Sequence, residues 1–325
     1  MKKIIFIITL FVCNLNIEAQ NYKDYPIGDT IFLKNRIPVL RANANFYAII
    51  KEKVIVNKKN LYKMEAYECP KDSTRFSKHS IYYTIDPNLI SSYHKHIDFH
   101  RNGTKSAEGF KEKGRPYGIW NYWYENGQRK EVQKHFKYQA LEKNAKEPEV
   151  ISFWNENGEQ TIENGNGTYL IKKDSMITKG YYKNGVKHGK FSAITNGKKF
   201  YEDFYKNGEL TQGKSWDKNG KEYTYDIVFK TAQYPGGQKA ISKHISKNIK
   251  IPEYAYFKNI SGRVILMLKI DKKGKIYDVK VVKSLCRPCD LEAIRVVRRM
   301  KKWKPGEIRG RKVNVAYTIP ITFKI

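Results

Sequence analysis

The chain has 325 residues, 40% of them hydrophobic and 29% charged, which is typical of a soluble globular protein with two or three domains. A formal net charge of +30 would suit a nucleic-acid partner, but the excess is spread along the chain, mostly as lysine, and the N-terminus indicates export. We therefore expect no nucleic-acid partner and interpret the charge as a solvated surface. The functional alternative is weak attraction to anionic envelope polymers or lipid headgroups.

The first segment, residues 1–19, has the features of a signal peptide. Lys2 and Lys3 precede an apolar run, and a more polar stretch then reaches Ala19. The apolar run is too short to span a bilayer, which takes about 20 residues. We predict cleavage after Ala19, and the alternative is an inner-membrane anchor if the signal is retained.

Residues 20–97 predict a strand-rich region of unknown type, with strands at 46–56 and 80–84. Around its end is a run of alternating polar residues that a strand would place on one face: His94, His96, Asp98 and His100. Such a set has ligands for zinc or copper. We favour a solvated strand face, and we predict no metal site and no cofactor.

Residues 98–224 predict a β-meander, because Asn-Gly pairs recur and favour type I′ hairpin turns. The pairs lie at 102–103, 126–127, 157–158, 164–165, 166–167, 184–185, 196–197, 207–208 and 219–220. Two stretches, Gly118-Ile119-Trp120 through Gly127 and Gly180-Tyr181-Tyr182 through Phe191, resemble MORN-type repeats of bacterial envelope proteins. That resemblance implies a structural or interaction role, with the aromatic residues filling the core and a sugar-binding platform as the alternative.

Residues 226–325 predict an α+β domain. Ile241, Ile245 and Ile249 form the apolar stripe of a helix that Pro252 ends, and residues 253–257 form a further helical turn. Val264–Ile270 then alternates as a strand, and on its return Tyr277, Val279 and Val281 are expected to face inward. Asp290 is the expected cap of a second helix, whose buried stripe is Leu291, Ile294, Val297 and Met300. A final run from Lys312 to Ile325 completes a β-β-α-β unit.

Five motifs in this order resemble the C-terminal domain of TonB: Tyr234-Pro235-Gly236-Gly237, Ile260-Ser261-Gly262-Arg263-Val264, Glu292-Ala293-Ile294-Arg295-Val296-Val297, Trp303-Lys304-Pro305-Gly306 and Tyr317-Thr318-Ile319-Pro320-Ile321. The resemblance implies a β-rich, periplasmic TonB-like protein. It also implies that a sheet edge captures an extended segment of a partner, such as a TonB-dependent outer-membrane receptor.

The last strand is the expected binding edge, because Pro320 cannot donate a ladder hydrogen bond and favours an edge position. The predicted partner-binding residues lie ahead of that proline: Val313, Asn314, Val315, Ala316, Tyr317 and Thr318. The alternative is that this strand only closes the sheet.

Cys286-Arg287-Pro288-Cys289 predicts a structural disulfide between Cys286 and Cys289, in the oxidising compartment that the signal peptide implies. A thioredoxin-like redox motif is the alternative, although no βαβ unit precedes it. Cys69 is the remaining cysteine of the mature chain.

No catalytic motif is found, so we predict that the protein is not an enzyme. The leading hypothesis is an adaptor linked to TonB-dependent transport. The chain departs from the transducer pattern because its eleven prolines are scattered and form no rod. The alternatives are an envelope scaffold unrelated to energy transduction and, third, a metal-binding or thiol-redox protein.

Overall fold

The computed structural model describes residues 25–34, 37–38, 45–69, 76–87, 92–137 and 146–325. The predicted signal peptide lies outside these residues. The chain forms two compact units. The C-terminal unit contains Lys199–Asp203 and Leu210–Ile325, and the meander unit contains the described residues up to Lys198 together with Phe204–Glu209. Within the described ranges, no helix has the length and apolarity of a membrane span.

The meander unit is built from antiparallel strands: β1 (Thr30–Lys34), β2 (Ile37–Pro38), β3 (Phe46–Val56), β4 (Lys59–Glu68), β5 (Ser77–Thr84), β6 (His94–Phe99), β7 (Lys105–Glu112), β8 (Arg115–Trp123), β9 (Arg129–His135), β10 (Glu149–Trp154), β11 (Gln160–Glu163), β12 (Asn166–Lys173), β13 (Met176–Lys183) and β14 (Val186–Thr195). From β3 to β14 every strand pairs with the next one in the chain. β1 pairs with β2 and β3. The predicted meander is confirmed.

Two hairpins of the meander unit use a glycine to make room for an aromatic ring. A Cβ atom on Gly180 would lie 2.3 Å from the ring of Phe191, and one on Gly109 would lie 2.4 Å from the ring of Trp120. In both hairpins the register shifts at the glycine, which marks a β-bulge. Trp120 and Phe191 are both buried. These aromatic residues of the quoted repeat motifs therefore fill the interior, against the glycine of the strand before.

The Asn-Gly pairs occupy two kinds of turn. At 164–165, 184–185, 196–197 and 207–208 both residues have positive φ, as in the predicted type I′ turn. At 102–103, 126–127, 157–158 and 219–220 only the glycine does, so the type I′ prediction is wrong there. Asn166–Gly167 makes no turn at all and begins β12. The turn at 157–158 shows one physical reason: the side chain of Asn155 accepts backbone N–H groups from Asn157 and Glu159, which stabilises a longer loop.

In the C-terminal unit, β15 (Lys198–Lys206) contributes its middle residues and the other elements follow in order: β16 (Glu209–Trp216), β17 (Glu222–Tyr225), β18 (Phe229–Lys230), α1 (Gly237–Asn248), α2 (Glu253–Phe257), β19 (Gly262–Ile270), β20 (Ile276–Lys283), α3 (Arg287–Arg298), β21 (Gly306–Ile308), β22 (Arg311–Val313) and β23 (Val315–Phe323). β16 pairs with β17. β18, β21 and β22 form one small sheet, and β20, β19 and β23 form another in that order.

The core of the C-terminal unit lies between the β20-β19-β23 sheet and the helices. Alternate residues of β19 are fully buried: Val264, Leu266, Leu268 and Ile270. They pack with Ile319, Ile321 and Phe323 of β23, and with Ile241 of α1 and Val297 of α3. Alternation along a strand and helical spacing on the facing helices produce one shared apolar cluster. The predicted α+β class is therefore confirmed.

Two local expectations for the sheet and α3 are wrong. A bulge between Lys269 and Ile270 places Ile276 opposite Ile270, so Ile276 packs on the core and Tyr277 is exposed. Leu291, expected in the buried stripe of α3, is 60% exposed. Val281 shares a face with buried Leu266, as expected, but it is 36% exposed and lies outside the core cluster.

The start of α3 also differs from the prediction. The helix begins at Arg287, and its N-cap is Cys286, whose sulfur accepts the backbone N–H of Cys289. Asp290 lies inside the first turn, where its carboxylate accepts hydrogen bonds from Ser284 and Leu285. A carboxylate in the first turn is stabilised by the helix dipole without being the cap.

The hairpin between β21 and β22 carries a polar cluster that the sequence does not reveal. The guanidinium of Arg309 lies 3.7 Å from the ring centre of Tyr201 and donates to the carboxylate of Asp203 at 3.2 Å. Asp203 is 1% exposed and also accepts the hydroxyl of Tyr225. Burial alone would lower the pKa of Arg309, but the charge of Asp203 raises it above its ordinary value. This cluster joins β15 and β17 to the rest of the C-terminal unit.

Candidate functional site

The last strand, β23, lies at an edge of the three-stranded sheet. It pairs with β19 without interruption from Val315, opposite Ile270, to Phe323, opposite Gly262. β19 is the central strand, and β23 has no other neighbour in this sheet among the described residues. Its outer side is thus a row of backbone groups without a ladder partner, which is the feature that strand addition requires.

Pro320 identifies which backbone groups point outward. It lies opposite Ile265 in continuous pairing and has no N–H, so the two must form a non-hydrogen-bonded pair. Backbone direction alternates along a strand. The N–H groups of Ala316, Thr318 and Thr322 therefore point away from β19, while Pro320 offers only its carbonyl.

The six predicted partner-binding residues do not form one strand. Val313 belongs to β22, where it pairs with Gly306. Asn314 lies between the strands, and its side chain accepts the backbone N–H of Lys272 at 3.1 Å. Val315 and Tyr317 direct their backbone groups to β19, so only Ala316 and Thr318 of the predicted set present outward N–H groups. Thr322, which lies beyond the proline and outside the predicted segment, also presents an outward N–H group.

Side chains on the inner face of β23 hold the strand in place. The ring of Tyr317 lies 4.9 Å from that of buried Trp303, and its hydroxyl donates to Gln238 of α1 at 3.4 Å. Partial burial raises the pKa of Tyr317, so the hydroxyl stays protonated. These contacts anchor the first half of the strand.

The open face beside this edge carries cationic side chains. Lys269 lies opposite Ala316, and Arg263 lies opposite Thr322. The ammonium of Lys269 is 2.9 Å from the carboxylate of Asp278 on β20, and this hydrogen bond lowers the pKa of Asp278 and raises that of Lys269. The edge therefore combines outward backbone donors with the exposed cation of Arg263, whereas the charge of Lys269 is balanced by Asp278.

Comparison with known proteins identifies the domain that contains this edge. Residues 247–325 match the family model described as Gram-negative bacterial TonB protein C-terminal. The chain carries a TonB C-terminal domain. The match includes β19, β20, α3 and all of β23, and it indicates a TonB-like envelope protein linked to transport. No curated protein matches the chain. The MORN-type likeness of residues 98–224 remains a resemblance of the quoted motifs.

Within the TonB C-terminal domain, Cys286 and Cys289 are joined as a disulfide, with Cα atoms 5.0 Å apart. The bond links the N-cap of α3 to its first turn, and Cys289 is fully buried in the core. It thus fixes the start of α3 at the end of the β20–α3 connection. Cys69 lies far from this pair in sequence, at the end of β4, and is half-buried.

The alternating histidines before the repeats are engaged with other side chains or the backbone. His96 is buried, and its two ring nitrogens lie 3.0 Å from the hydroxyl of Ser92 and 2.9 Å from the carboxylate of Asp98. Burial would raise the pKa of Asp98, but the hydrogen bond and charge of His96 lower it. His100 bonds the carbonyl of Trp123. No group of potential metal ligands is found in the described part of the chain.

Proposed function

We propose that the TonB C-terminal domain binds an extended segment of an envelope partner protein as a fourth strand beside β23. The observation that carries this proposal is the free outer side of β23, with outward N–H groups at Ala316, Thr318 and Thr322. An incoming strand would complete those hydrogen bonds, and side chains on both faces would provide specificity.

The proposed partner is a TonB-dependent outer-membrane receptor, and the proposed location is the periplasm. The family match supports both. Arg263, the exposed cation beside the edge, favours a partner segment that carries an acidic side chain. The protein would act as a binding module without catalytic activity. A scaffold role unrelated to transport is the alternative that the experiment must separate.

The test is capture of partners from an envelope extract by the mature chain and by Thr318→Pro. This substitution removes an outward N–H and should leave the ladder with β19 intact. Tyr317→Pro is unsuitable, because the N–H of Tyr317 points to β19 and its loss would damage the domain itself. We expect Thr318→Pro to lose receptor capture while keeping the melting temperature within a few degrees, which corresponds to about 1 kcal/mol or less.

The opposite edge of the same sheet offers a matched control. Val281 on β20 lies opposite Leu266, whose backbone groups point to β23, so the N–H of Val281 points out of the sheet. Val281→Pro should keep receptor capture. Equal capture by all three proteins would show that β23 is not the binding edge. Edge-dependent capture of other envelope proteins, without receptors, would favour the scaffold.

A further inference from the structure

The short helix α2 turns nearly all of its large side chains to solvent. Ala255 is its one buried residue, while Tyr254, Tyr256 and Phe257 are exposed. Phe257, at 78%, is the most exposed large hydrophobic residue of the described chain. Ile251, just before the helix, is exposed as well. Clustered apolar side chains in water mark a surface that something else covers.

The segment that contains this aromatic cluster is rich in lysine. Residues 238–258 contain five lysines and a single acidic residue, Glu253. All five are exposed: Lys239, Lys243, Lys247, Lys250 and Lys258. The first three follow one another at four-residue intervals along α1, on the side away from buried Ile241. Lys250 and Lys258 flank α2 in the chain. We call the residues from Lys247 to Lys258 the α2 corner.

This combination of side chains distinguishes between two kinds of partner. Lysine is depleted where proteins bind proteins, and charged residues are rare at the centre of such interfaces. Tyrosine and phenylalanine next to lysine are instead typical of segments that lie in the headgroup layer of a bilayer. The positive charge of the corner complements an anionic lipid surface, which attracts lysines within a Debye length.

We propose that the α2 corner binds the surface of an anionic phospholipid bilayer. Tyr254, Tyr256 and Phe257 enter the headgroup layer, and Lys250 and Lys258 contact the lipid phosphates. The corner lies at the end of the sheet where β19 begins and β23 ends, since Ile325 donates its N–H to Ser261, just after α2. Docking by this corner therefore leaves the outward N–H groups of Ala316 and Thr318, towards the other end of β23, open to a partner.

The test is cosedimentation of the mature chain with phosphatidylcholine vesicles that contain phosphatidylglycerol, and with vesicles of phosphatidylcholine alone. We expect binding to the anionic vesicles, weakened by added salt. The double variant Tyr256→Ser/Phe257→Ser should bind about tenfold more weakly, because buried apolar groups provide much of the affinity of interfacial segments. Both side chains are exposed, so the variant should keep the melting temperature of the parent.

A matched control is Ile55→Ser in the meander unit, where an isoleucine of similar exposure to Phe257 is removed. It should bind vesicles as the parent does. The proposal is overturned if the double variant binds like the parent, since the lysine-rich surface as a whole would then account for binding. It is also overturned if the parent binds neutral and anionic vesicles equally well. The same holds if the parent binds no vesicles and the double variant only abolishes its self-association.

Discussion

The meander unit and the C-terminal unit are stabilised in different ways. In the C-terminal unit, residues from β19, β23, α1 and α3 share one apolar cluster, so every element depends on the others. In the meander unit each strand pairs mainly with its neighbours in the chain, and rings such as Phe191 fill space that the preceding strand provides. A shared core predicts cooperative loss of structure, whereas nearest-neighbour packing predicts local loss.

The largest expected effect is on the shared core. Leu266→Ala removes a fully buried side chain between the sheet and the helices. We expect it to lower the free energy of unfolding of the C-terminal unit by about 3 to 5 kcal/mol, because the rigid surroundings keep the cavity open. Hydrogen exchange should show lost protection in α1, α3 and β23 together, with the meander unit unchanged. Protection lost from the β19–β20 hairpin alone would contradict the shared core.

A smaller and more local effect is expected at Gly180 in the meander unit. Gly180→Ala places a Cβ atom 2.3 Å from the ring of Phe191, so the ring or the bulge must move. We expect a loss of about 1 to 3 kcal/mol, which is typical of overpacking. Hydrogen exchange should become faster in β13 and β14 and in the strands next to them. It should not change across the rest of the meander unit.

A double-mutant cycle tests the cause of this loss. With Phe191 already replaced by alanine, Gly180→Ala should cost little, because the ring that it displaces is gone. An equal cost in both backgrounds would mean that the close approach between glycine and ring is not responsible. The same cycle applies to Gly109 and Trp120, where the distance is almost the same.

The two units also differ in how far their sequences predict them. In the C-terminal unit, the alternation from Val264 to Ile270 predicts β19, and Pro252 predicts the boundary between α1 and α2. Both signals are local, because alternation reflects the strand period and proline interrupts a helix where it stands. The cap of α3 was missed because Cys286 is not among the usual N-cap residues. Its sulfur acts as a cap within the disulfide to Cys289, three residues away, so the sequence predicts the pairing but not the capping.

The proposed binding edge shows the same limit. Pro320 correctly indicated an edge strand, but the outward N–H groups depend on the pairing of Pro320 with Ile265, which no local pattern encodes. In the meander unit, the recurring Asn-Gly pairs predicted hairpins but not their turn types. Those depend on the residues around each pair, such as Asn155, whose side chain bonds two backbone N–H groups.

A third difference between the units is how each one buries a carboxylate. The C-terminal unit buries Asp203 in contact with the guanidinium of Arg309. The meander unit buries Glu131, which lies opposite Tyr122 on one side and Phe153 on the other. Burial raises the pKa of Glu131, and the hydrogen bond with Gln133 opposes this rise without cancelling it. Tyr122, which is half-buried, has its pKa raised to about 12.

The raised pKa of Glu131 predicts that the stability of the meander unit depends on pH. A glutamate whose pKa is raised by folding binds more protons in the folded state, so its contribution is favourable at low pH and is lost as pH rises through the folded pKa. Glu131→Gln removes the ionisable group, so the variant does not lose stability as pH rises through that pKa. We expect the variant to be more stable than the parent at neutral pH, with the advantage shrinking as pH falls towards the ordinary pKa of glutamate. Thermal unfolding of the variant and the parent, from neutral pH down to the ordinary pKa of glutamate, measures this difference in stability.

The control for Glu131 is Glu112→Gln, at a half-exposed carboxylate 4.0 Å from Lys137. Exposed ion pairs contribute little, so this variant should follow the parent within about 1 kcal/mol at every pH. If Glu112→Gln gained as much as Glu131→Gln, relief of general charge effects would explain both results, and burial would not. If Glu131→Gln instead lost stability at neutral pH, the carboxylate would be a required partner of Gln133. The meander unit would then depend on a buried polar contact, as the C-terminal unit does at Asp203.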